Sequence, residues 1–229
     1  CIRDRSYTSF NMKRTTKKLV ILMLLFASPS FSKKSIEGKI LMLISEGFYA
    51  PEYFKPRRIF ENKGYTVEVA GKILGEISPD HRQLKTHPSV KVDLTFEQVK
   101  VDQYQAIVFA GGNGAWEDFF PNEVVHKIVT DTLKSKKILG LLCSSTGLLG
   151  VVNNLDGRGH PVAKGRKVTG YKRVVALLKN LGKVQYLSGE DNKPFVVKDK
   201  NLITGRDPMS SELFAQTIVK SLRDSLQRF

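Results

Sequence analysis

The sequence predicts a three-layer α/β/α sandwich built around a mostly parallel sheet. Three observations point there. Apolar runs of strand length recur at 39–45, 104–110 and 138–143, and runs apolar on both faces fit strands buried within a parallel sheet. Segments with helical spacing stand between them, so strands and helices alternate along the chain. The 229 residues are 41% hydrophobic and 26% charged. That composition excludes a wholly disordered chain, a collagen and a polytopic membrane protein, and the length suffices for a core without disulfides or a structural metal.

The elements follow in order. Lys39 to Ser45 is the first strand, and Gly47 breaks it. Pro51 to Lys63 carries Tyr53 or Phe54, Arg57 and Phe60 one turn apart, which predicts a helix stopped by Gly64. Tyr65 to Ala70 alternates and is rich in β-branched residues, so it reads as a second strand. Two parallel strands need such a crossover. Residues 71–93 form a less regular polar connection, and 95–99 a short helical turn. Tyr104 to Ala110 is a third, buried strand that ends at Gly111-Gly112-Asn113-Gly114. Asn122 to Lys134 is helical, with Glu123 in its first turn. Ile138 to Cys143 is a fourth strand, followed by Ser144-Ser145-Thr146-Gly147 and an apolar stretch. A short strand at 167–169, a helix near 171–181 and a hairpin of 195–198 with 201–204 come next. A helix over 210–226 closes the chain, with Leu213, Phe214, Ile218 and Leu222 at apolar positions. No repeat or linker divides residues 33–229, which are expected to form a single domain.

The first 32 residues have a different character. Lys13, Arg14, Lys17 and Lys18 precede an apolar run from Leu19 to Ala27, and Ser28-Pro29-Ser30-Phe31-Ser32 follows. A basic head, a short apolar middle and a small-residue exit read as a signal peptide over 12–32. The run is shorter than the roughly 20 residues of a membrane span. Residues 1–11 read as an upstream extension. The chain is therefore expected to be exported, in a periplasm-like compartment, with no membrane attachment after cleavage. Cleavage lowers the net charge from +15 to +10, since it removes six basic residues and one acid. The remaining excess is scattered, as on solvated helix faces, and predicts no specific nucleic-acid partner. It also leaves Cys143 as the only thiol, so no internal disulfide can form.

Three features fall at the carboxyl ends of strands, where α/β folds place their sites. Cys143 ends an apolar strand and precedes small residues, as a nucleophile on a tight strand-to-helix turn requires. Equally, such a thiol can be a buried structural residue. A helix starting beside the sulfur would lower its pKa, so a depressed Cys143 pKa is expected. Glu52 lies in the first turn of the helix after the first strand, where a carboxyl can act as acid or base or simply complement the helix dipole. Glycines at 111, 112 and 114 let backbone amides face a ligand, as an oxyanion site needs. Their spacing is neither a dinucleotide fingerprint nor a phosphate loop. The histidines, His81, His87, His126 and His160, show no metal-ligand spacing, so no metal is expected. His160 stands where it could swing toward Cys143 as a proton relay. Trp116, Phe119 and Phe120 read as core or pocket wall.

Together these residues resemble the ThiJ/PfpI superfamily, relatives of the class I glutamine amidotransferase domain. The resemblance rests on Gly47 with Glu52 five residues on, Gly111-Gly112, Leu142-Cys143, the segment 165–171, and the segment 201–208 with Ser210 and Ser211. It implies a flavodoxin-like sandwich with no cofactor and a homodimer. It also implies cysteine-centred chemistry on a small carbonyl compound or a peptide-like substrate, of glyoxalase, deglycase or hydrolase type. In that reading Cys143 attacks, Glu52 stays protonated and shares its proton with the sulfur, and the amides of Gly112 and Ser144 hold developing negative charge. The rival reading is a redox-sensing or stress-protective protein whose cysteine is oxidised to a sulfinate. One departure stands out: many members carry histidine directly after the cysteine, and this chain has Ser144.

Overall fold

The structure is a computed structural model that describes residues 38–153 and 159–226. The segments expected to be a signal peptide and an upstream extension lie outside the described residues.

The strands are β1 (Lys39–Leu43), β2 (Thr66–Gly71), β3 (Gly75–Ile77), β4 (Val90–Val92), β5 (Leu94–Thr95), β6 (Ala106–Phe109) and β7 (Ile138–Leu142), then β8 (Lys167–Val168), β9 (Gln185–Tyr186), β10 (Val196–Asp199) and β11 (Leu202–Gly205). The α-helices are α1 (Ala50–Asn62), α2 (Glu123–Lys134), α3 (Leu148–Val151) and α4 (Ser211–Leu226). Seven strands form the central sheet in the order β10-β11-β7-β6-β1-β2-β5. Every pair is parallel except the β10–β11 hairpin. The sheet is thus mixed α/β and mostly parallel, as expected.

Burial on both faces explains the uninterrupted apolar runs. In β1, Ile40 and Met42 pack in one layer with Tyr53 and Phe60 of α1 and Phe214 and Ile218 of α4. Leu41 and Leu43 point the other way, toward Val125 and Val129 of α2 and Leu148 of α3. Asn122 caps α2, its side-chain oxygen accepting from the Val124 and Val125 amides at 3.0 and 3.2 Å. Phe109 in β6 is fully buried and meets Phe119 edge-on, with centroids 5.3 Å apart. Truncation of such a ring leaves a cavity, so Phe109→Ala is expected to cost about 3–5 kcal/mol, read as a lowered urea midpoint with an unchanged slope.

Four local elements depart from the sequence expectation. The connection 71–93 contains an antiparallel β3–β4 ladder, β5 adds a two-residue edge beside β2, and β9 pairs with β8. Strands of two or three residues are too short to show a period, which is why their sequences read as loop. The segment expected to be one helix near 171–181 is a 3₁₀ turn (Lys172–Val174) followed by a π turn (Leu177–Leu181).

From β1 the chain crosses to β2 on one side, and later enters β6 on the other side of β1. The carboxyl ends of β1 and β6 therefore flank a topological switch point, where open α/β sheets form a crevice.

Candidate active site

Two loops are stitched together over that crevice. Phe48, after β1, bridges Gly112, after β6, and the Tyr49 amide donates to the Gly111 carbonyl at 2.9 Å. Gly112 has φ +132°, and a Cβ there would lie 2.6 Å from both the Gly47 oxygen and the Tyr49 nitrogen. Only glycine permits this approach. A methyl group on Gly111 would collide with the Glu52 carboxyl and lie 2.9 Å from the Cys143 Cβ. The missing side chain of Gly111 is thus the space in which Glu52 and Cys143 meet.

Cys143 follows β7 directly and has φ +58°, a left-handed conformation that costs a non-glycine residue energy and marks functional turns. A 3₁₀ turn (Cys143–Gly147) runs from it into α3. The Ser145 hydroxyl accepts from the Leu142 amide at 2.9 Å, and the Thr146 hydroxyl donates to the Cys143 carbonyl at 2.6 Å. Gly147 makes room for the Phe120 ring, which a Cβ would meet at 2.5 Å. The small residues after Cys143 are therefore what lets the elbow bury itself.

Glu52 is 1% exposed, and neither carboxyl oxygen has a conventional hydrogen-bond partner. Burial pushes its pKa up to about 8, against the weaker pull of the Cys143 side chain and the Gly111 amide. It is consequently protonated at neutral pH. Cys143 is 7% exposed. Burial pushes its thiol up as well, an ionised Glu52 adds to this, and the Ser144 amide opposes it. The expected depressed thiol pKa is therefore overturned: one amide at a short turn does not offset dehydration of the sulfur. The two groups titrate as a pair rather than singly.

Two further site expectations change. The Gly112 amide does not face the pocket freely. It donates to the Ser144 hydroxyl at 2.8 Å, while that hydroxyl donates to the Gly112 carbonyl at 2.8 Å. Ser144 ties the elbow to the glycine loop. His160 is exposed and is not among the residues lining the pocket, so it offers no relay to Cys143.

The pocket itself measures about 280 Å³. The buried Cys143 and Glu52 line it together with Gly112, Ser144, Tyr49, Trp116, Tyr171 and Pro208. Asp80, Arg82, Asn113 and Arg173 complete the lining. Phe119 and Phe120 are core, while Trp116 is half-exposed. Asp80, Arg82 and Arg173 carried no sequence signal, because they sit in the irregular connection and in a helical turn whose spacing is ordinary. Larger grooves of about 700 and 690 Å³ lie elsewhere and contain no cysteine.

The model of the DJ-1/PfpI family matches residues 38–221. Deglycase PfpI of Pyrococcus furiosus is 30% identical over 185 residues, covering 81% of this chain and 99% of that protein. The crystal structure of a ThiJ/PfpI domain protein from Brachyspira murdochii superposes with a TM-score of 0.70 at 24% identity, covering 81% of this chain and 96% of that one. Glyoxalase III from Candida albicans superposes with a TM-score of 0.64 at 20% identity, covering 80% and 96%. A match spanning most of the described fold, with the strand-end glycines, the buried acid and the elbow cysteine all in place, leaves one conclusion: the chain belongs to the DJ-1/PfpI family.

Proposed function

We propose that this protein is a cysteine enzyme of the glyoxalase or deglycase type, acting on a small carbonyl compound. The observation that carries the reading is the Glu52–Cys143 pair, buried in the lining of a pocket of about 280 Å³. Similarity to a deglycase supports it. So does the turn conformation at Cys143, which a purely structural thiol does not require.

The reacting form is the pair after loss of one proton. Glu52 as carboxylate takes the thiol proton while the sulfur attacks the aldehyde carbon of a substrate such as methylglyoxal; an S–C bond forms, the C=O π bond opens, and Glu52 passes that proton to the oxygen, which leaves a hemithioacetal and a free carboxylate. The proton on that carbon then passes by way of Glu52 to the neighbouring carbonyl carbon, which is reduced as the aldehyde carbon is oxidised to a thioester. Water cleaves the S–C bond, releases lactate and restores the thiol. No external oxidant or reductant enters. Lactate formation from methylglyoxal without added thiol tests the proposal. No turnover, together with a stable Cys143 sulfinate in the mass spectrum, would overturn it in favour of a redox role.

Export belongs to the same proposal and rests on residues 12–32. Intact-mass analysis of exported material is expected to show a chain starting near Lys33. A chain retaining Leu19 to Ala27 would contradict it.

A further inference from the structure

We propose that the mouth of the Cys143 pocket is an anion subsite centred on Arg173, so that the preferred substrate is a short carbonyl compound bearing a carboxylate or phosphate group. This rests on Cys143 as the reacting group, and it deepens the enzymatic reading by naming the substrate class.

The charges around the pocket support it. Asp80 is buried and receives the Arg82 guanidinium through Nε at 2.7 Å and Nη2 at 3.0 Å. Asn113 donates a further hydrogen bond to the same carboxylate at 3.0 Å. Arg82 holds the Asp80 carboxyl down at about 2, so this arginine and this acid neutralise each other. Asp207, which also acts on the sulfur, is bonded by Arg206 at 2.9 Å and by the Ser210 hydroxyl at 2.9 Å. Glu52 is neutral.

Arg173 remains. It lines the same pocket, stands in the 3₁₀ turn Lys172–Val174, and none of the hydrogen bonds or ion pairs of the described residues engages it. The pocket mouth therefore carries one uncompensated positive charge on a planar fork of donors that suits a carboxylate or a phosphate. The geometry also limits size. A pocket of about 280 Å³ is at or below the small end of ligand sites, which run from roughly 300 to 1,000 Å³. A substrate of a few carbon atoms spans it, with its carbonyl at Cys143 and its anionic end at Arg173. An uncharged glyoxal leaves Arg173 without a partner.

The test uses two alkylating agents of the same skeleton, iodoacetate and iodoacetamide, with labelling quantified on the Cys143 peptide of the full chain. Relative to a free cysteine peptide, the iodoacetate-to-iodoacetamide rate ratio at Cys143 is expected to be raised by about fivefold or more, and to fall as salt is added. Arg173→Gln is expected to return the ratio to that of the peptide. Arg173→Lys should keep part of the preference, which a merely structural role would not produce. Competition separates the two anions: protection of Cys143 by acetate assigns a carboxylate, and protection by inorganic phosphate at lower concentration assigns a phosphate. A wild-type ratio equal to that of the peptide, or one unmoved by Arg173→Gln, would overturn the subsite. Because alkylation needs no turnover, a charge preference with no turnover of either methylglyoxal or a carboxylate-bearing 2-oxoaldehyde would leave the subsite standing and remove the enzymatic reading. Turnover without a charge preference would do the reverse.

Discussion

Turnover of methylglyoxal is expected to fall by at least about 10³-fold in Cys143→Ala, because no other group in the pocket can form the covalent intermediate. Among the residues that line it, Cys143 is the only thiol, and Glu52 is a protonated carboxyl at neutral pH. The fold should survive, since Cys143 is held by its backbone: its carbonyl accepts from the Thr146 hydroxyl and from the Tyr171 amide. A melting curve close to that of the wild type would show that lost turnover is lost chemistry. Substantial lactate formation by a folded Cys143→Ala chain would remove the sulfur from the reaction.

Glu52→Gln tests the other half of the pair and carries the second large effect. A positioned acid or base contributes roughly 10²–10⁴ in rate, and the amide can neither take the thiol proton nor return one. In the wild type, kcat/KM is expected to rise with pH and level off above about 8, as the pair loses its first proton. In Glu52→Gln that rise should disappear from this range. Stability moves the opposite way. The folded carboxyl titrates near 8 and the unfolded one near 4.5, so between these values the folded state binds more protons. Wild-type stability therefore falls as pH rises through that window, by up to about 1.4 kcal/mol per pH unit. Glu52→Gln escapes this loss, and its thermal midpoint should exceed that of the wild type by a margin that widens from pH 4.5 to 8. A variant that is more stable yet less active is the signature of a carboxyl kept buried for chemistry rather than for the fold.

Much of this was legible in the residues. The runs at 39–45, 104–110 and 138–143 announced strands buried on both faces, and the strand ends then located Glu52, Gly111 and Cys143. The small residues after Cys143 announced the elbow. What escaped was set by distance and dehydration. His160 is near Cys143 in the chain but exposed and off the pocket. Asp80 and Arg82 reach the site from a connection with no periodic pattern, and Arg173 from one turn of helix. The sign of the thiol shift could not be read either: a helix start lowers a thiol pKa and burial raises it, and only the packing around the sulfur shows which is larger. Ser144 was visible directly after the cysteine. That its hydroxyl would bridge both polar groups of Gly112 follows from the approach of two loops distant in sequence.

The coupling of Glu52 to Cys143 is the centre of the account, and the pH dependence of Cys143 alkylation by iodoacetamide tests it most directly. In the wild type the rate should climb near pH 8, where Glu52 ionises and can take the thiol proton as the sulfur attacks. In Glu52→Gln no carboxylate can take that proton and burial alone acts on the sulfur, so the climb should move above the free-cysteine value of about 8.5. Midpoints that coincide in the two proteins, at the value of a free thiol, would show that Glu52 and Cys143 do not share a proton and would contradict the account.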